Sequence, residues 1–83
     1  MAKSRLTQEY QVLVELLRAR RLAAKVTQIE LAVRMGQTQS YISKVERGEL
    51  RLDALQLRQF CQAIGCSFVG LVREFDATLN RHS

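Results

Sequence analysis

Apolar residues recur along this chain at helical spacing, and nowhere do they alternate with polar ones long enough, in strand-forming types, to predict a sheet. Tyr10, Leu13, Val14 and Leu17 fall at i, i+3, i+4 and i+7, which predicts a first helix from about Thr7 to Ala24 that buries this stripe. Arg18, Arg20 and Arg21 crowd its C-terminal end, where cations suit the helix dipole. Thr27 is a good N-cap for a short second helix, Gln28 to Met35, in which Ile29, Leu31, Ala32 and Met35 supply the apolar residues and which Gly36 stops. Thr38 caps a third helix, Gln39 to about Arg47, which Gly48 ends by taking a left-handed conformation. Asp53 and Gln56 make a capping box for a fourth, Ala54 to Ile64, with Leu57, Phe60, Cys61 and Ile64 inward and Gly65 at its end. Ser67 caps a fifth helix running to roughly Leu79. The expectation is an all-α fold of five helices with short connections. It forms a single domain over residues 1–83, with flexible ends at about 1–6 and 80–83.

The third helix is the odd one. In the stretch "GQTQSYISKVERG", residues 36–48, only Ile42 and Val45 are placed to anchor a face, which leaves Gln39, Ser40, Ser43, Lys44 and Arg47 pointing elsewhere. The steric logic of the preceding residues is that of two helices meeting at a steep angle across a short turn. Ala32 supplies a small side chain where they approach most closely, and Gly36 tolerates positive φ in the turn.

Composition narrows the possibilities. At 83 residues, 47% hydrophobic and 25% charged, the chain has the makeup of one small soluble domain, neither disordered nor fibrous. No apolar run is long enough to span a bilayer, and the N-terminal stretch has basic residues without an apolar segment after them, so a cytoplasmic location is expected. Cys61 and Cys66 lack the spacing of a zinc or redox motif, and His82 is the only histidine, so neither a metal nor another cofactor is expected. The two cysteines read as one core residue and one near a helix end, and His82 as part of a mobile tail. Residues 1–51 hold ten Lys and Arg against five acids, whereas residues 52–83 hold three of each. The whole excess thus lies in the first half, as in a domain that sets one end against a polyanion.

The ordered set "LRARRLAAKVTQIELA", "GQTQSYISKVERG" and "LRQFCQAIGCS" resembles the phage repressor and Cro family, also called Xre-like, over about residues 13 to 72. The resemblance implies a lambda-repressor-like DNA-binding domain with a helix-turn-helix at helices 2 and 3, the latter lying in the DNA major groove. It puts Gln39, Ser40 and Lys44 where base-reading side chains occur, with Ser43 beside them. A glutamine can bind adenine bidentately and a lysine can reach the acceptors of guanine. Gln28 is placed to touch a phosphate and to brace Gln39. Thr27, Thr38, Tyr41, Arg47 and Arg51 stand as phosphate contacts, with packing as the competing role for Tyr41 and a dipole partnership for Arg47. Arg21 and Glu46 match a pair that bridges the first helix to the end of the recognition helix. Two departures affect the loops. Lys25 stands where the family commonly has glycine, implying a strained residue or another link shape, and Gln37 replaces a usual apolar turn residue.

One short helix reads few base pairs, so the resemblance implies a homodimer on a pseudo-palindromic operator of double-stranded DNA. The fifth helix offers the surface, with Phe68, Leu71, Val72, Phe75 and Leu79 in one stripe and Val69 flanking it. Leu71 reads as core, and Phe68, Val69, Val72 and Phe75 as the dimer interface; full internal packing is the competing arrangement. The expected function is a transcriptional regulator. A second reading is an antitoxin-like module that also binds a protein partner. An enzyme is disfavoured, because the chain shows no internal histidine, metal set or phosphate-binding glycine loop.

Overall fold

The computed structural model describes residues 5–81, with side chains from residue 7 onward. Five helices account for most of it: α1 (Arg5–Ala23), α2 (Gln28–Met35), α3 (Gln39–Glu46), α4 (Ala54–Ile64) and α5 (Phe68–Arg81). Helices α2 to α4 lie over the predicted spans. Helix α1 is displaced toward the N-terminus by one or two residues at each end, and α5 runs one half-turn beyond the expected Leu79. The expected flexible ends fall partly on these helices. The rest, including His82, lies outside the described residues.

A single core gathers one face of each helix. Val14 and Leu17 from α1, Leu31 from α2, Ile42 and Val45 from α3, Phe60 and Cys61 from α4, and Leu71 from α5 are all fully buried. The N-terminal starts follow local chemistry. Thr27 and Glu30 form a reciprocal capping box at α2, in which the carboxylate receives the Thr27 backbone N–H and is thereby held below its usual pKa range. Asp53 and Gln56 do the same at α4, with bonds of 2.7 and 2.9 Å. At α5 the Ser67 hydroxyl receives the Gly70 N–H at 2.9 Å.

The first four helices stop in one way. In each, a residue just past the last turn has positive φ, and the N–H of the following residue reaches back five positions to a carbonyl: Val26 to Arg21, Gln37 to Ala32, Glu49 to Lys44 and Cys66 to Cys61, at 2.9–3.2 Å. This closure brings the residue after the stop onto the side of the helix it terminates. Three of the stopping residues are Gly36, Gly48 and Gly65, and the fourth is Lys25, with φ of 59°. An L-residue there sets its Cβ against the carbonyl, so the link between α1 and α2 carries the strain that the missing glycine predicts. At Gly48 space also matters, because a Cβ would run into the side-chain amide of Gln11.

One expectation of the apolar pattern is corrected. Ile29 is 60% exposed, and Val33 next to it on the helix face is 76% exposed. An eight-residue helix presents only a narrow arc to the body, which Leu31 and Ala32 fill with Met35 partly buried beside them.

Candidate nucleic-acid interface

Helix α3 divides sharply. Ile42 and Val45 are wholly enclosed, while Gln39, Ser40 and Lys44 are exposed and Ser43 is half-buried. Residues 39, 40, 43, 44 and 47 share the outer face by their one-turn spacing. The Thr38 side chain receives the Tyr41 N–H at 3.0 Å and so fixes where the helix begins.

Behind that face runs a chain of side-chain bonds. Arg21 grips Glu46 through two nitrogens, at 2.6 and 2.9 Å, and its remaining terminal nitrogen donates to the Val26 carbonyl at 2.9 Å. Glu46 Oε1 also receives the Gln28 amide at 3.0 Å, and Gln28 Oε1 in turn receives the amide of Gln39 at 3.4 Å. The four side chains connect the end of α1, the first residue of α2 and both ends of α3. Gln28 therefore braces Gln39, and it does so from an anchor that is itself nearly dry, since the Arg21 and Glu46 side chains are 6% and 4% exposed. The arrangement leaves the Gln39 carbonyl oxygen and one of its amide hydrogens unengaged by Gln28, which is the donor and acceptor pair that a bidentate contact uses.

Flanking residues are held in ways the sequence did not reveal. Arg47 bonds the Ser43 hydroxyl and pairs with Glu49, which raises its own pKa and holds the Glu49 carboxyl below the usual range. The guanidinium of Arg51 sits over the Tyr10 ring, 4.5 Å from its centroid. The Tyr10 hydroxyl donates to the Leu50 carbonyl at 2.7 Å and accepts the Leu52 N–H at 3.0 Å, pinning the loop between α3 and α4 to α1. Tyr41 packs beside Phe60, with ring centroids 6.1 Å apart. Thr27 is exposed, its oxygen receiving the Glu30 N–H in the cap and its hydroxyl facing the Glu30 carboxylate.

This architecture is shared with known proteins. A helix-turn-helix family model matches residues 17–71, which spans α2, its turn and α3 together with most of the supporting body. The chain belongs to the XRE-type helix-turn-helix family. An XRE-family like protein from Pseudomonas syringae pv. tomato superposes with a TM-score of 0.80 at 42% identity, covering 86% of this chain and 87% of that one. The clp gene regulator ClgR from C. glutamicum gives a TM-score of 0.76 at 28% identity, over 84% and 91% of the two chains. An HTH-type transcriptional regulator from Sinorhizobium fredii, y4dJ, is 40% identical over 53 residues, which are 64% of this chain and 69% of that protein. The protein is thus a DNA-binding regulator of the XRE type.

Within this XRE-type domain α5 carries the other candidate surface. Leu71 is fully buried, as its place in the stripe predicts. Val69 and Val72 are 57% and 40% exposed, whereas Phe68 packs partly against the core and Phe75 is half-buried. Arg20 ties the helix back to α1 through a 2.9 Å ion pair with Glu74. No helix among the described residues is long and apolar enough to cross a membrane.

Proposed function

We propose that the protein acts as a homodimer on a pseudo-palindromic operator, with α3 of each protomer in the major groove. The observation that carries the reading is the division of α3, whose apolar side is locked into the core while Gln39, Ser40 and Lys44 are held outward on a braced helix. Gln39 reads adenine through its amide, and Lys44 reaches the acceptors of guanine. Ser40 contributes a short hydroxyl contact, and Ser43 has a lesser part because Arg47 already engages its oxygen. Thr27, Gln28, Thr38, Tyr41, Arg47 and Arg51 set the register on the phosphates without choosing sequence.

Val69 and Val72 supply the centre of the two-fold contact, with Phe68 and Phe75 at its edges. Pairing through α5 supplies the second reading head that a helix of eight residues needs. Selection of bound sequences from a random duplex pool tests this reading. Two related half-sites about 34 Å apart are expected, with affinity falling steeply as salt rises. A pool that shows no enrichment, or a single half-site, contradicts it.

A further inference from the structure

We propose that Cys61 and Cys66 form an oxidation-sensitive dithiol, in which a hydroperoxide closes a disulfide that reseats α5 and lowers affinity for DNA. The argument begins with how α4 ends. The Cys66 N–H donates to the Cys61 carbonyl at 2.9 Å, and this closure lays the side chain of the residue after the stop against the residue five positions earlier. In α1 to α3 the same geometry pairs Arg21 with Val26, Ala32 with Gln37 and Lys44 with Glu49; in α4 alone it pairs two thiols. Cys66 packs against the core cluster that holds Cys61, and both are free thiols.

The two are unequal. Cys61 is fully buried, and burial together with its neighbour pushes its thiol up to about 12. Cys66 is only half-buried, so a small oxidant reaches it first. Its thiolate sulfur attacks a peroxide oxygen, the O–O bond breaks, and the departing hydroxide takes up a proton as water, leaving a sulfenic acid on Cys66. The Cys61 sulfur then attacks the Cys66 sulfur and expels hydroxide, which leaves as water with the Cys61 proton. Two thiols are oxidised by two electrons, and one hydrogen peroxide becomes two waters.

The disulfide closes a very short loop and so adds little chain-entropy stabilisation; its effect is on shape. Two unbonded thiol sulfurs must draw in to a bond of about 2 Å. Cys66 is followed by Ser67, the cap of α5, and by Phe68 and Val69 of the proposed two-fold contact. Arg20, whose charge acts on Cys61, also holds Glu74 of α5, so the same junction seats that helix from both sides. The effect on DNA rests on the dimeric DNA-binding reading above, whereas the chemistry of the pair stands apart from it.

The test treats the full chain with hydrogen peroxide and follows intact mass, free thiols and binding to the selected duplex. The expected product is monomeric and two hydrogens lighter, with no titratable thiol; it binds about tenfold or more weakly, and dithiothreitol restores it. The Cys66→Ser variant keeps the backbone closure and is expected to bind like the reduced parent with or without peroxide. Persistence of both thiols, oxidation of Cys66 without a disulfide, or a disulfide that leaves affinity unchanged overturns the inference. Reduced protein that binds no duplex counts against the DNA-binding reading instead, and mass and thiol readouts separate the two failures.

Discussion

Arg21 and Glu46 meet through two nitrogens and two oxygens, at 2.6 and 2.9 Å, with both side chains almost wholly shielded from water. A pair this dry behaves differently from a surface bridge, because removing one member strands the other charge. Arg21→Ala is expected to cost about 3–5 kcal/mol and to lower the melting temperature by more than about 10 °C. The double variant Arg21→Met, Glu46→Leu is expected to lose less than the single one. Thermal melts that leave Arg21→Ala like the parent contradict the assignment.

Lys25 is expected to yield a gain. Relief of a left-handed L-residue is worth about 1–2 kcal/mol, and the added freedom of glycine in the unfolded chain takes back about 0.5–1. Lys25→Gly is therefore expected to stabilise by about 0.5–1 kcal/mol, raising the melting temperature by roughly 2–8 °C. A melt at or below that of the parent contradicts the strain argument.

Tyr10 serves the loop through its hydroxyl and Arg51 through its ring. Tyr10→Phe keeps the ring under the guanidinium but leaves the Leu50 carbonyl and Leu52 N–H without that partner. A loss of about 1–3 kcal/mol is expected in denaturant unfolding, with the loop amides exchanging faster with solvent. Unchanged stability contradicts the view that this bond pins the loop.

Val69 is exposed in the single chain, so a charge there costs the fold little. Val69→Asp is expected to melt close to the parent and to sediment as a monomer under conditions where the parent is dimeric. A parent that is monomeric at micromolar concentration removes the dimer from the account.

The parts of the fold legible in the sequence were those decided locally. Thr27, Asp53 and the glycines at 36, 48 and 65 each do their work within a few residues, so the boundaries of α2 to α4 followed from them. Ile29 was misplaced because periodicity says which residues share a face without saying how wide an arc the body covers. The candidate interface is legible as a polar face on a pinned helix, and the Arg21–Glu46 pair as a family resemblance. The Gln28–Glu46 bond, the double use of the Tyr10 hydroxyl and the Arg20–Glu74 pair join residues far apart in the chain, so no local pattern announces them. Arg47 and Arg51 read as simple phosphate partners, yet each already has an internal one.

The central claim is that the braced outer face of α3 chooses sequence, and Gln39→Ala tests it most directly when affinity is measured on the selected operator and on random duplex in the same salt. The expected result is a loss of about 1–3 kcal/mol on the operator, with random DNA nearly unaffected. Equal losses on both DNAs contradict it and make Gln39 a positioning residue.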